Sequence, residues 1–432
     1  MSTKTFPLTK DELEAIAAVF GTPFYLYDEA GIVENAARIF TAFAAFPGYV
    51  QHFAVKALPN PAILRLLAGC GMGADCSSLP ELLLAAEAGI CGEKIMFTSN
   101  ETPAAEYRTA AELGAVINLD DLTHIDFLEK ACGIPPLVSC RYNPGDKKQG
   151  NVIIGNPVEA KYGFTREQII DGFTALRKKG AARFGLHAMI ASNELCEDYH
   201  IETGRLLFEF AVEIQEKTGI AVEFINIGGG VGIPYRPEQE PFSYEKLAAG
   251  LKAAYEEILV PHGLGGVALR TEWGRAVTGP YGWLVARAIH RKAIYRNYIG
   301  LDASMADLMR PALYGAYHHI TVAGKEDAPL EDVYDVAGSL CENNDKFAIQ
   351  RRLPAIKTGE ADGDLVIIHD AGAHGRAMGF NYNGKLRAGE LLLSTDGGRA
   401  GGKKTVRMIR RPETVDDYFA TLRGLDPTEV IV

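Results

Sequence analysis

Short apolar runs alternate with longer amphipathic segments between about residues 48 and 275. The apolar runs are the length of strands buried on both faces. The segments between them, such as 61–68, 80–88 and 206–217, carry apolar residues three and four positions apart, which is the spacing of one helix face. The strands predicted from this pattern are 50–56, 73–77, 95–99, 116–119, 137–142, 184–189, 224–227 and 267–271.

Eight strands that alternate with helices predict a parallel sheet in an α/β fold. Because there are eight such units, we expect the sheet to close into a (β/α)8 barrel. The pattern alone leaves an open, doubly wound sheet as the alternative.

The rhythm changes after about residue 280, where strand-like runs follow one another with little helix between them. This arrangement is typical of an antiparallel β domain, and the strand-like segment 23–27 could join it from the N-terminus. We therefore predict a barrel over 30–279 and a β domain formed by 1–29 and 280–432. The predicted strands of the β domain are 283–290, 295–301, 319–322, 334–336, 365–369 and 390–393.

The composition is that of a globular protein, with 47% hydrophobic and 23% charged residues among 432. A net charge of −11 argues against a nucleic-acid partner. The chain has seven cysteines and no C-x-x-C pair, so neither a disulfide framework nor structural zinc is expected, and free thiols suit the reducing cytoplasm. We find no signal-peptide pattern and no apolar run long enough to span a membrane.

Active sites of such barrels lie at the carboxyl ends of the strands, so the residues found there are candidates for chemistry. Lys56 ends the first predicted strand. It is either a surface lysine just beyond a strand or a lysine made nucleophilic by a desolvated site, where it could form a Schiff base. Other polar residues at or near these ends are Asp75, Asn100, Arg141, Asn143, His187, Glu272 and Arg275.

Two further strand ends bear on the choice for Lys56. Gly228, Gly229 and Gly230 follow the seventh strand, where such barrels bind phosphate, although three glycines could also form a simple tight turn. Glu272 follows the eighth strand and could hold a protonated pyridine nitrogen or pair with Arg275. No metal site is predicted, because the adjacent His318 and His319 would point to opposite faces of a strand.

Seven segments together resemble the diaminopimelate decarboxylase family over nearly the whole chain. This family belongs to the alanine-racemase-like barrel enzymes that use pyridoxal 5'-phosphate. The segments are FAVKALPNP (53–61), GADCSSLPEL (73–82), NIGGGVGIPY (226–235), EWGR (272–275), RPALYGAYH (310–318), SLCENNDKFA (339–348) and DAGAHGRAMGFNYNG (370–384).

The resemblance assigns roles to individual residues. It implies that Lys56 is the Schiff-base lysine and that Cys341 donates a proton from the partner subunit of a homodimer with shared active sites. The residues that it implies contact the cofactor are Lys56, His187, Ser192, Gly229, Gly230, Glu272, Gly274, Arg275 and His374. The residues that it implies contact the substrate are Arg275, Arg310, Tyr314 and Glu342.

The chain departs from the family pattern near the cofactor and the substrate. Met189 replaces a histidine that would stack on the cofactor ring, and His374 replaces a tyrosine. Trp273 replaces a proline, and Asn343 and Asn344 replace a Ser-Gly pair. A thioether can still pack on an aromatic face, whereas the charge of a histidine varies with pH.

The resemblance implies decarboxylation of meso-2,6-diaminopimelate to L-lysine and carbon dioxide, a step of lysine biosynthesis. Arg310 could bind a carboxylate and Glu342 an ammonium group, which suits a diamino diacid better than ornithine or lysine. The alternatives are a decarboxylase of another basic amino acid or of a carboxylated polyamine, an amino-acid racemase, and a non-enzymatic cofactor-binding relative.

Overall fold

The chain forms two compact units in a computed structural model that describes residues 4–150, 155–398 and 402–424. One unit, the barrel unit, consists of Ala30–Pro234 and Glu238–Pro280. The other, the β unit, consists of Met1–Glu29, Tyr235–Pro237 and Tyr281–Val432.

The strands are β1 (Phe24–Asp28), β2 (Val50–Ala54), β3 (Gly73–Cys76), β4 (Ile95–Thr98), β5 (Val116–Leu119), β6 (Leu137–Arg141), β7 (Arg183–His187), β8 (Phe224–Asn226), β9 (Ala268–Thr271), β10 (Gly282–Ala293), β11 (Asn297–Leu301), β12 (Ile320–Val322), β13 (Asp332–Ala337), β14 (Lys346–Leu353), β15 (Leu365–Ile368), β16 (Gly389–Thr395) and β17 (Lys404–Arg410). The α-helices are α1 (Lys10–Phe20), α2 (Glu29–Phe43), α3 (Pro61–Gly69), α4 (Leu79–Glu87), α5 (Ala104–Glu112), α6 (His124–Cys132), α7 (Arg166–Lys178), α8 (Glu197–Thr218), α9 (Tyr244–Ile258), α10 (Arg275–Thr278), α11 (Arg310–Tyr314) and α12 (Val415–Phe419).

Strands β2 to β9 close into a parallel barrel, with β2 pairing β9 at Val50 and Arg270. Helices α3 to α9 each connect one strand to the next. The strands are buried along almost their whole length, because a strand of such a barrel has side chains inside it on one face and helices against the other. The predicted barrel is therefore confirmed, and the open-sheet alternative is wrong.

Within its described residues, the β unit is a nine-stranded sheet built around β10, β1 and β16. The N-terminal strand β1 lies between β10 and β16, as the prediction for residues 23–27 required. The sheet is mixed, however, because β1 pairs β16 in parallel and β11 pairs β13 in parallel. The predicted antiparallel β domain is confirmed, with these two parallel pairs within a sheet that is otherwise antiparallel.

The core of the β unit lies between the sheet and α1, which the sequence pattern did not predict. Leu13 of α1 is fully buried in the same cluster as Phe24, Trp283 and Ile367. Among the described residues, no helix has both the length and the apolar character needed to cross a bilayer.

Candidate active site

Lys56 lies at the carboxyl end of the first barrel strand, but not within it. Strand β2 ends at Ala54, and Lys56 is the middle residue of a single 3₁₀ turn, Val55–Ala57. Its side chain is exposed in the single chain, whereas Val55 and Ala57 are buried. The turn thus directs only the flanking side chains into the packing, and the role of Lys56 as a Schiff-base lysine stays a prediction.

Glu272 is a buried carboxylate held by two side chains. It follows β9, and its two oxygens lie 2.9 Å from Nε2 of His187 and 2.7 Å from the Nδ2 donor of Asn226. Burial by itself would raise the pKa of Glu272, but the charge of His187 and the hydrogen bonds from both neighbours outweigh it and lower the pKa. An ionised, oriented carboxylate in this position can stabilise a cation such as a protonated pyridine nitrogen.

Asp75 is a second buried carboxylate at the carboxyl ends of the strands, and its pKa is shifted in the opposite direction to that of Glu272. Burial and the charge of Glu272 raise the pKa of Asp75 well above its ordinary value, although Lys56 acts against them. Its Oδ1 atom has no hydrogen-bond partner among the described residues. Two neighbouring carboxylates with opposite pKa shifts are a feature of sites that transfer protons. The sequence placed Asp75 at a strand end but gave it no role.

Arg141 and Asp120 form a buried ion pair to which the sequence pattern assigned no role. Arg141 is the last residue of β6 and donates from Nε to Oδ1 of Asp120 over 2.7 Å, with a second bond from its terminal nitrogen. Asn100 donates to the other oxygen of Asp120 over 3.2 Å. The pair fixes a guanidinium group at the carboxyl end of the barrel.

The three glycines after β8 form a loop that has no room for side chains. A Cβ atom would lie 2.2 Å from the carbonyl oxygen of Ala188 at Gly228, 2.6 Å from that of Glu272 at Gly229, and 2.5 Å from that of Ala191 at Gly230. Gly228 and Gly230 also have positive φ angles of 71° and 97°. Glycine is thus required at all three positions by close approach, and bare backbone amides can bind an anion.

The loop after β7, which contains Met189 and Ser192, lies alongside this glycine loop. The N–H of Glu194 donates to the carbonyl oxygen of Gly230 over 2.9 Å, and the N–H of Gly229 donates to Sδ of Met189 over 3.2 Å. Ser192 therefore lies in a loop that runs beside Gly229 and Gly230.

Gly274 lies between β9 and α10, and Arg275 is the first of the four residues of α10. A Cβ atom on Gly274 would lie 2.6 Å from Cβ of Ala57, so glycine lets the end of β9 approach the turn that contains Lys56. The Trp273 ring is buried and stacks on Tyr244, with the ring centroids 5.5 Å apart and the planes at 14°. The replacement of proline by Trp273 is therefore accommodated by packing against α9.

Arg310 is a candidate substrate residue of the β unit whose guanidinium is held by two neighbouring side chains. It is buried and donates from one nitrogen to the hydroxyl of Tyr235 over 2.8 Å and to Nε2 of His318 over 3.1 Å. His318 can accept there because its Nδ1 donates to the carbonyl oxygen of His369 over 2.8 Å. Tyr314, at the end of the same short helix, is 65% exposed.

Cys341 and Glu342 lie on a loop that is anchored by Asp345. The buried Asp345 carboxylate accepts the N–H of Met305 over 2.6 Å and that of Leu340 over 2.7 Å. Cys341 itself is exposed, and Glu342 is half-buried. The loop is thus rigid at its base and presents the thiol at the surface of the β unit.

His374, the remaining predicted cofactor residue, lies in the loop that follows β15. Its φ angle is 53°, a conformation that few residues other than glycine adopt. In the described part of the chain, no three His, Cys, Asp or Glu side chains are grouped so that they could hold a metal ion.

Comparison with known proteins identifies the family. A protein family described as "Pyridoxal-dependent decarboxylase, pyridoxal binding domain" matches residues 30–279. The chain belongs to the pyridoxal-dependent decarboxylases. It is therefore an enzyme of the fold type III group, and its cofactor is pyridoxal 5'-phosphate.

Several relatives match almost the whole chain. Protein TabA of Pseudomonas amygdali pv. tabaci is 42% identical over 97% of this chain and 94% of its own length. A diaminopimelate decarboxylase of Methanothermobacter thermautotrophicus is 34% identical over 95% of this chain and 92% of its own length.

Solved structures agree with this assignment. The chain superposes on the diaminopimelate decarboxylase of M. jannaschii with a TM-score of 0.85 and 29% identity, covering 96% of this chain and 94% of that one. The diaminopimelate decarboxylase of Helicobacter pylori, solved with L-lysine bound, gives a TM-score of 0.83 and 27% identity. The superposition covers 96% of this chain and 100% of the H. pylori chain.

The residues of the barrel unit fit this cofactor. The N–H groups of Gly230 and Val231 have no acceptor among the described residues, so the glycine loop can bind a phosphate group. Glu272 supplies a carboxylate for the ring nitrogen, and the exposed amine of Lys56 can bond to the aldehyde carbon.

Proposed function

We propose that this protein decarboxylates meso-2,6-diaminopimelate to L-lysine and carbon dioxide, as a step of lysine biosynthesis in the cytoplasm. The observation that carries the proposal is similarity along almost the entire chain, including both units, to proteins named diaminopimelate decarboxylase. The complex of the Helicobacter pylori enzyme with L-lysine supports it, because lysine is the product of that reaction.

In this proposal the barrel, over residues 30–279, binds the cofactor. Lys56 anchors it covalently, and His187, Ser192, Gly229, Gly230, Gly274, Arg275 and His374 contact it. The ionised Glu272 holds the ring nitrogen, and the hydrogen bonds from His187 and Asn226 fix the direction of its oxygens. Bound pyridoxal phosphate supplies an electron sink for the negative charge left on the α-carbon when carbon dioxide leaves.

The β domain, formed by residues 1–29 and 280–432, supplies the groups that recognise a diamino diacid. The guanidinium of Arg310 is held by Tyr235 and His318 and would bind a carboxylate. Tyr314 of the same unit and Arg275 of the barrel unit are the other residues that we expect to contact the substrate. Glu342 would bind the distal ammonium group, and substrates that lack either group should react poorly.

We further propose a homodimer in which each active site receives Cys341 and Glu342 from the partner subunit. The exposure of Cys341 on a rigid loop supports this arrangement, because a proton donor must reach the α-carbon of a substrate. Protonation by one thiol on one face of the substrate also favours decarboxylation over racemisation, which needs a base on each face.

A second candidate function is decarboxylation of a different amino acid, and one comparison favours it. Identity to TabA, whose name states no substrate, is 42%, which exceeds the 34% identity to the Methanothermobacter enzyme. Met189 and His374 also depart from the pattern of the diaminopimelate enzymes at positions expected to face the cofactor. A related substrate with both an amine and a carboxylate would use the same residues.

The test is release of carbon dioxide from a panel of meso-diaminopimelate, LL-diaminopimelate, L-lysine, L-ornithine and carboxyspermidine, with identification of each product. We expect release from meso-diaminopimelate, with one L-lysine formed per carbon dioxide and no release by the Lys56→Ala variant. Release from another member of the panel, with none from meso-diaminopimelate, would establish the second candidate. Epimerisation without release would show a racemase.

A further inference from the structure

Met189 contacts the glycine loop through its sulfur. The N–H of Gly229 donates to Sδ over 3.2 Å, and a Cβ atom on Gly229 would lie 3.6 Å from Sδ and 2.6 Å from the carbonyl oxygen of Glu272. Gly229 is thus packed between the Met189 side chain and the backbone that follows β9. A hydrogen bond to sulfur fixes its amide there, since no side chain of its own can do so.

The amides of the loop are divided into two pairs by these contacts. The N–H of Gly228 donates to Oδ1 of Asn226 over 2.9 Å, and that of Gly229 donates to Met189. The next two, of Gly230 and Val231, have no acceptor among the described residues. The first pair therefore anchors the loop within the protein, and the second pair remains for an anion.

We infer that Met189 is a positioning residue for the phosphate end of the cofactor. Its sulfur holds Gly229 so that the amides of Gly230 and Val231 point to the phosphate. Gly229 remains a predicted cofactor contact, but its N–H donates to Met189 and not to the phosphate. A thioether suits this task because it accepts a hydrogen bond, remains uncharged at any pH and packs like an apolar side chain. This role concerns only the binding of the cofactor, so it can be confirmed or refuted whichever amino acid is the substrate.

The test compares the binding of pyridoxal 5'-phosphate with that of pyridoxal, which lacks the phosphate group. Met189→Leu keeps the approximate volume but removes the acceptor. We expect it to raise the dissociation constant of pyridoxal phosphate by about two- to tenfold, the range of one net hydrogen bond, and to leave the dissociation constant of pyridoxal unchanged. Met189→Gln restores an acceptor oxygen and should restore most of the affinity. Dissociation constants are measured by titrating the cofactor-free protein and following the absorbance of the bound form.

Met72→Leu is the control, because it makes the same substitution at another methionine of the barrel unit, which is buried whereas Met189 is half-buried. It should leave the affinities for both compounds unchanged. If Met189→Leu raised the dissociation constants of pyridoxal and pyridoxal phosphate by the same factor, Met189 would have only a general packing role and the inference would be overturned. Unchanged affinity for pyridoxal phosphate in Met189→Leu would also overturn it, provided that thermal unfolding shows the variant to be folded.

Discussion

Replacing Glu272 by glutamine tests the electrostatic design of the barrel site. Both carboxylate oxygens accept hydrogen bonds, from Asn226 over 2.7 Å and from His187 over 2.9 Å. Glutamine keeps one carbonyl oxygen, but its NH₂ group would face the other donor. One charge-assisted hydrogen bond is then lost in a buried site, which costs about 1.5–3 kcal/mol of stability.

The effect on the reaction should exceed the effect on stability. The variant loses the negative charge that keeps the ring nitrogen of the cofactor protonated, and removal of one preorganised electrostatic group typically lowers kcat by about 10²–10³-fold. We therefore expect Glu272→Gln to bind the cofactor and fold, but to release carbon dioxide from its substrate at least about a hundredfold more slowly.

The matched control is Glu223→Gln, which removes the same charge near the amino end of β8. Glu223 pairs with Arg183 over 2.5 Å and is not part of the proposed site. This control should retain near wild-type kcat. The reasoning about Glu272 would be refuted if Glu272→Gln, loaded with cofactor, kept kcat within about a factor of two of the wild type, since the proposed electrostatic contribution is far larger.

Two further predictions address the shared site and acid stability. Cys341→Ala should abolish most turnover while the cofactor stays bound. Mixing this variant with Lys56→Ala subunits should restore up to about a quarter of wild-type activity, because a heterodimer of the two has one intact site. No recovery of activity after subunit exchange would contradict the shared site. Burial lowers the pKa of His52 and of His200 to about 4, so the unfolded chain binds protons more readily between about pH 6.5 and 4. The free energy of unfolding should therefore fall by up to about 1.4 kcal/mol per pH unit for each histidine as the pH decreases through this window. Urea titrations of the His52→Gln variant should show that its free energy of unfolding depends less on pH than that of the wild type.

The barrel could be predicted from the sequence because its strands are buried on both faces. Each of the eight appears as a short apolar run, and the predicted bounds differ from the observed ones by no more than two residues. The error at the end of β2 mattered most, because it placed Lys56 in the strand rather than in the following turn. An apolar pattern does not show where a strand gives way to a 3₁₀ turn.

The missed elements of the β unit lack such a pattern. Strands β14 and β17 read KFAIQRRL and KTVRMIR, and most of their side chains are exposed or half-buried, so hydrophobic periodicity did not reveal them. Helix α1 has a local signal in the sequence that is not part of the hydrophobic pattern. Thr9 and Glu12 form a capping box, a spacing that is readable from the sequence.

The candidate site was predicted mainly by its resemblance to a family, and partly by residue type at strand ends. The steric requirement for Gly228, Gly229 and Gly230 and the ionised state of Glu272 follow from contacts between distant segments. So does the hydrogen bond from Gly229 to Met189, which are 40 residues apart. Such contacts become visible only when the barrel is closed.

The most direct test of the central claim is to locate the lysine that carries the cofactor. Reduction of the purified protein with borohydride, followed by proteolysis and mass spectrometry, should yield the peptide containing Lys56 with a phosphopyridoxyl group on its Nζ. The Lys56→Ala variant should yield no such adduct. A stoichiometric adduct on any other lysine would contradict the account, because the glycine loop and Glu272 would then not define the cofactor site.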